Sequence, residues 1–152
     1  MAGAFPLSTE VAVRFAETDA QGIVHNSVYL VWFELARVDY LERFAGGYPL
    51  LQRRGLEALV LESHVRYLTP ARFGDRVRIH ARCSDVRGAR FRFDYEVDRG
   101  DERIADGSTA HACVDARTLR PTRLPQWLKD AIAAAEAPVT ERPASARGSA
   151  AS

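Results

Sequence analysis

Cysteine is scarce in this chain. Cys83 and Cys113 are the only two, and they lie far apart. That excludes a close-spaced zinc pattern and a disulfide framework, and makes a reducing, cytoplasmic compartment the expectation. Long apolar runs are missing as well. No stretch approaches the ~18 residues that read as a membrane span. Residues 1–7 lack the basic region and apolar core of a secretory leader. Charge of one sign is not in excess either. The 21 Lys and Arg face 20 Asp and Glu, for a formal net charge of +1. Bulk electrostatics therefore gives no reason to expect nucleic acid or an anionic membrane as partner. There is no internal repeat, so solenoids and propellers are excluded too.

What is present fits one globular domain. The 152 residues are 47% hydrophobic and 27% charged, ordinary values for such a domain. It is expected over residues 1–136. Residues 137–152 are mostly Ala, Pro, Ser, Arg and Gly without periodicity, and read as a disordered tail.

Residues 9–15 alternate, with Val11, Val13 and Phe15 on one face, which predicts a half-buried strand. A turn around Asp19 to Gly22 follows. From Ser27 to Phe44 the period changes. Counting from Tyr29, the residues Trp32, Phe33, Ala36, Tyr40 and Phe44 recur at helical offsets, and Val28, Val31, Leu35 and Leu41 widen the stripe. A helix this apolar is expected to be buried round most of its circumference. Asn26 or Ser27 is its expected N-cap. Asp39 and Arg43 can pair on its exposed side, and Glu34 can pair with Arg37. Gly46, Gly47 and Pro49 stop it.

A short helical turn is expected within residues 48–55. Strands are expected at 56–68, with an irregularity near Glu62 to His64, then at 76–85, 90–98 and 102–115, the last bulged near Gly107. A short helix is expected over 124–129, with Pro125 in its first turn. Strand, long apolar helix and four strands joined by tight turns make an α+β domain. A curved antiparallel sheet wrapped around one helix covers that helix, and its open edges suggest a two-fold dimer.

The stretch from Asp19 to Tyr29 carries the chemistry. A carboxylate on a Gly-containing turn stands before a helix whose first backbone N–H groups lack partners. That is a fit place to attack or hydrate a carbonyl whose oxygen turns negative. The bland reading of Asp19 is a turn residue bonding its own backbone.

The element order and two sequence blocks resemble the hotdog-fold acyl-CoA thioesterases, in particular the 4-hydroxybenzoyl-CoA thioesterase-like family. The first block is Arg14-Phe15, Glu17-Thr18-Asp19, Gly22-Ile23-Val24, Tyr29 and Phe33-Glu34-Leu35-Ala36-Arg37. The second is Val65-Arg66-Tyr67 with Pro70-Ala71-Arg72-Phe73-Gly74-Asp75. The resemblance covers roughly residues 8–127. It implies a hotdog fold of five to six antiparallel strands around one central helix. It implies hydrolysis of an acyl-CoA to free acid and CoA, without metal or redox cofactor. Asp19 would be the catalytic carboxylate, as nucleophile or as general base. Backbone N–H groups near Asn26 to Val28 would form the oxyanion hole, and dimers or tetramers would hold CoA along their interface. Asn26 stands where some members have His, with His25 one place earlier, and Val28 where some have Asn.

Asn26 is thus the second catalytic candidate. His25, Ser27, Val28 and Tyr29 are candidate substrate contacts, Tyr29 with core packing as its bland reading. Glu34 is a rival carboxylate on the helix. Arg87, Arg90, Arg120 and Arg123 are candidate phosphate contacts, because Arg on loops suits the phosphates of CoA; their bland reading is a solvated rim. Cys113 and His111 share a strand face, and a structural role is the reading there, as buried Cys is common. His64 and His80 read as strand surface. Two alternatives stand beside the acyl-CoA reading: an acyl-carrier-protein thioesterase, and a hotdog protein that binds acyl-CoA without cleaving it.

Overall fold

The computed structural model describes residues 4–138. The expected tail therefore lies, from residue 139 on, outside the described residues. Five strands form one antiparallel sheet in the order β1-β3-β4-β5-β2. They are β1 (Leu7–Ala12), β2 (Leu56–Tyr67), β3 (Arg76–Arg87), β4 (Arg90–Arg99) and β5 (Glu102–Asp115). The tight turns at Gly88 and Gly100, both with positive φ, join β3 to β4 and β4 to β5. β1 and β2 are the sheet's edges.

Helix α1 (Val28–Phe44) lies across the concave face of this sheet. Trp32, Phe33, Ala36 and Tyr40 are fully buried. Phe33 stacks flat on Tyr95 of β4, with centroids 4.1 Å apart and planes 4° apart. That approach needs room on β5, and Gly107 supplies it. A Cβ at Gly107 would sit 2.7 Å from Phe33 Cε2 and against the His64 carbonyl oxygen. The expected bulge at Gly107 is absent, since its pairings to Val65 and Tyr95 are regular. The irregularity of β2 lies slightly earlier than expected, between Val60 and Glu62.

The first strand is displaced from its expected span. It begins at Leu7 and ends at Ala12, and Phe15 falls in a 3-10 turn over Phe15–Glu17. Phe15 is 74% exposed rather than buried, and meets Phe73 edge-on at 5.8 Å. Alternation alone does not show where a chain leaves the sheet.

The stripe of α1 is narrower than expected. Val31 and Leu35 are exposed, together with Leu30 and Val38. Leu30 and Val31 border a shallow cleft shared with Val60 and Ser63 of β2, an edge strand of the sheet. Asp39 and Arg43 pair at 3.5 Å as expected. Arg37 does not pair with Glu34 among the described residues; its guanidinium donates to the Tyr95 hydroxyl at 3.1 Å. The short α2 (Tyr48–Arg53) starts after Gly47, whose φ of 89° suits only glycine. The last helix, α3 (Gln126–Glu136), is longer than expected. Its buried Leu128, Ile132 and Ala135 keep helical spacing past Lys129. Among the described residues, no helix is long and apolar enough to cross a membrane.

Candidate active site

The Asp19 turn is held from both sides. The Asp19 N–H donates to Ile23 O at 2.9 Å, and the Gly22 N–H to Asp19 O at 2.9 Å. Gly22 has a φ of 76°, which a side chain would strain. Thr18 and Val24 bridge across the turn, and Val24 N–H reaches Ala71 O at 2.8 Å. The two sequence blocks therefore meet in space. Asp19 itself is half-buried, and its Oδ1 accepts the Gln21 N–H at 2.8 Å. This Asx-type bond fixes one carboxylate oxygen; the other has no hydrogen-bond partner among the described residues.

Glu17 anchors this loop to the helix. It is buried, and Oε1 accepts the Arg14 N–H at 2.8 Å while Oε2 accepts the Trp32 indole N–H at 3.3 Å. Its carbonyl takes the His25 N–H at 2.9 Å. Glu17 stands inside the first block, but nothing in the sequence marks its carboxylate as the tie between this loop and the helix.

The approach to α1 differs from the expected cap. Ser27 is the N-cap, but neither it nor Asn26 makes a side-chain cap bond. Ser27 Oγ lies 2.7 Å from His25 Nδ1, and the Ser27 N–H donates to that same nitrogen at 3.2 Å. Nδ1 is thus an acceptor, which leaves the neutral ring's proton on Nε2. The Val28 N–H goes to His25 O at 3.0 Å and the Leu30 N–H to Ser27 O at 3.2 Å. Among the described residues, the amides of Asn26 and Tyr29 meet no acceptor. Two donors therefore stand open at the helix start, where the macrodipole is positive.

Tyr67 braces this point. Its hydroxyl donates to Asn26 O at 2.7 Å, and its ring meets Tyr29 edge-on at 5.0 Å. Tyr29 is buried between Tyr67 and Trp32. Burial pushes its phenol up, against a backbone hydrogen bond from Ala71 that lowers it. Tyr67 belongs to the second block but shows no sign in sequence of reaching Asn26, because the contact spans 41 residues.

His25, Asn26 and Ser27 are exposed and Val28 is half-buried, all at the start of α1. The four candidate arginines are exposed and gather at the other end of the sheet. Arg87 and Arg90 face each other across the β3–β4 turn, where Arg87 pairs with Asp85 at 2.6 Å. Arg120 and Arg123 lie in the segment tied to that turn by the Leu124 N–H to Gly88 O bond of 3.0 Å. β3 runs 12 residues from the Asp19 end to this end, about 40 Å at the usual rise of a strand. On one chain, the arginines and Asp19 are not brought together. Arg72 is nearer, with Nη1 3.4 Å from Gly22 O.

Glu34 is exposed on α1, away from the Asp19 turn. His111 and Cys113 are both buried, and His111 Nε2 pairs with Thr109 Oγ1 at 2.7 Å rather than with the thiol. Burial raises the Cys113 thiol, which suits a structural role. His64 is exposed as expected, whereas His80 is half-buried and 2.9 Å from Asp98. Among the described residues, no group of three His, Cys, Asp or Glu is placed to hold a metal ion.

The chain is similar to several known proteins. A putative acyl-CoA thioesterase, YneP, from Bacillus subtilis is 28% identical over 123 residues, covering 78% of this chain and 89% of that protein. The acyl-CoA thioesterase YbgC from Haemophilus influenzae is 30% identical over 126 residues, covering 82% and 93%. A thioesterase from Thermus thermophilus, solved with coenzyme A and zinc, superposes with a TM-score of 0.77 at 31% identity, covering 91% of this chain and all of that one. The family model described as the thioesterase-like superfamily matches residues 13–132. With a hotdog sheet wrapped round α1 and that match over most of its length, the chain belongs to the thioesterase-like superfamily.

Proposed function

We propose that this protein is an acyl-CoA thioesterase in which Asp19 is the reacting carboxylate. Water adds across the thioester, giving the free acid and the CoA thiol. Asp19 performs this either by attacking the carbonyl, with hydrolysis of the resulting anhydride, or by taking a proton from the attacking water. Both routes put negative charge on the thioester oxygen. The observation that carries the reading is the pair of open amides at Asn26 and Tyr29, at the start of α1 beside a braced carboxylate turn. Donors already in place cost no reorganisation when the oxyanion forms, and removing one such donor typically costs about 2.7–4 kcal/mol of barrier. Asn26 then acts through its backbone, with its exposed amide side chain free to meet substrate. His25, Ser27 and Val28 line the approach, whereas the Tyr29 ring is buried against Tyr67 and Trp32 and meets it only through the backbone amide.

The site is completed by a second copy of the chain. α1 exposes Leu30, Val31, Leu35 and Val38, and the edge strand β2 exposes Leu59, Val60 and Leu61. An apolar face of this kind beside an open strand edge calls for a partner. Antiparallel pairing along β2 sets the Leu56 end of one chain beside the Tyr67 end of the other. The Leu56 end lies at Asp115, next to Arg120 and Arg123. The pairing therefore brings the arginines of one protomer toward the Asp19 of its partner, where CoA phosphates would lie.

The test is Asp19→Asn, assayed by thiol release from a panel of acyl-CoAs. Turnover is expected to fall at least about a hundredfold on every substrate, with the thermal melt unchanged. Retention of full turnover overturns the assignment. One acyl group compared on CoA and on carrier protein fixes the carrier, and tight binding of acyl-CoA without cleavage would identify a binding protein.

A further inference from the structure

A cavity of about 340 Å³ lies between the C-terminal half of α1 and the sheet. Its rim carries Glu34, Arg37, Glu57 and Val60, which are exposed or half-buried. Its sides are Leu41, Leu51, Phe91 and Phe93. Its far end is Leu124, Leu128 and Ile132, all buried. The charged groups stand at the mouth, and the depth is apolar apart from the buried His111 and Cys113. The mouth shares Glu34, Arg37 and Val60 with a shallow cleft on the apolar face assigned above to pairing.

We propose that this chamber takes the acyl tail of the thioester, and that Leu124, Leu128 and Ile132 set the length of tail the enzyme accepts. The inference rests on the thioesterase reading for the identity of the tail. The tail class follows from the walls. His111 stacks on Phe91, with centroids 5.0 Å apart, and bonds Thr109. Burial brings its pKa down to about 3, so at working pH this wall is uncharged. Arg37 is held at the mouth by Tyr95, and Glu57 by Tyr48 at 3.3 Å. Among the described residues, Arg37 at the mouth is the only Lys or Arg that lines the chamber. A tail ending in a carboxylate would lose its hydration at the deep end without a partner. The occupant is therefore an uncharged apolar acyl group. A carbon unit takes about the volume of a water molecule, ~30 Å³, so the chamber holds on the order of ten carbons.

A wall selects by length only if it holds still. This one is fastened at several points. Glu136 Oε2 accepts the Tyr40 hydroxyl at 2.6 Å and the Cys83 N–H at 3.2 Å, tying the end of α3 to α1 and β3. The Thr122 N–H reaches Cys113 O at 2.9 Å and the Leu124 N–H reaches Gly88 O at 3.0 Å, tying its approach to β5 and the β3–β4 turn. The Arg54 guanidinium sits 5.6 Å over the Trp127 ring.

The experiment measures kcat/KM for saturated acyl-CoAs from butanoyl to hexadecanoyl. Wild type is compared with Leu128→Ala, Ile132→Ala and Ile132→Phe, each checked by thermal melt. In parallel, non-hydrolysable S-alkyl-CoA thioethers of the same lengths are titrated against each protein. Wild-type affinity should rise about fourfold for each methylene buried, then stop once the chamber is full. The alanine variants should move the optimum and the affinity plateau to longer chains, and Ile132→Phe to shorter ones. Hexanoyl-CoA should be preferred over adipyl-CoA at least tenfold. Folded variants whose length profiles superimpose on wild type overturn the proposal, even if every acyl-CoA is hydrolysed. Absence of hydrolysis with thioether affinities that still step and shift overturns the thioesterase reading and leaves the chamber standing. Should an alanine variant not fold, the wild-type thioether series and Ile132→Phe decide alone; affinity indifferent to chain length sinks the proposal.

Discussion

Two buried side chains show how single residues divide the work. Glu17 spends its carboxylate on the Arg14 amide and the Trp32 indole, so the loop bearing Asp19 moves only with α1. His111 does its work by staying neutral. Its pKa of about 3 lies well below the ordinary value of 6.5 because burial disfavours the imidazolium, and the Arg37 charge adds to this. The unfolded chain takes up this proton as pH falls below 6.5 while the folded chain does not, so stability drops with acid across that window. At pH 5 the loss is about 2 kcal/mol. Asp75, Asp94 and Asp115 have carboxyls held below their ordinary range, and their contributions fade only at lower pH. Urea unfolding of His111→Gln between pH 7 and about pH 4.5 should give a flatter slope than wild type; an unchanged slope would show that the imidazole titrates normally.

At the scale of elements, the contact of α1 with β5 is the tightest constraint. The Phe33 ring occupies the space over Gly107 that any side chain would need. Gly107→Ala should destabilise the protein by about 3 kcal/mol, read as a lower midpoint in urea, with the strands otherwise retained. Much of this level was legible in sequence. The 3.6-residue period found α1, the alternations found β3, β4 and β5, and Gly88 and Gly100 marked their turns. What periodicity misses is three-dimensional. Gly107 signals a close approach as readily as a bulge, and only the helix overhead decides between them. Phe15 continues the alternation of β1 after the chain has left the sheet. Ile132 and Ala135 prolong α3 through a run of alanines that gives no contrast for reading a stop.

At the scale of the molecule, the sheet ends at β2 while α1 keeps an apolar flank, with Leu35 48% exposed. A charge in that flank opposes pairing without disturbing the core. On the proposed pairing, Leu35→Lys should halve the mass seen by light scattering and lower turnover with it, because it would separate the arginines of one protomer from the Asp19 of the other. A monomeric mass for wild type would contradict this arrangement. The candidate site was half-legible for the same reason. Asp19 and its block are contiguous, so spacing revealed them. Tyr67 reaches Asn26 from 41 residues away. The four arginines share an end of the sheet that no stretch of chain displays.

The fastening of α3 by Glu136 has an evolutionary corollary. The proposed carboxylate and amide donors belong to residues 17–29, whereas the end wall of the proposed acyl chamber belongs to residues 124–132. Appetite for one acyl group or another can thus drift by changes late in the chain, with the reaction machinery inherited intact. Grafting the 116–138 segment between two such enzymes should carry chain-length preference with it and leave the cleavage step behind.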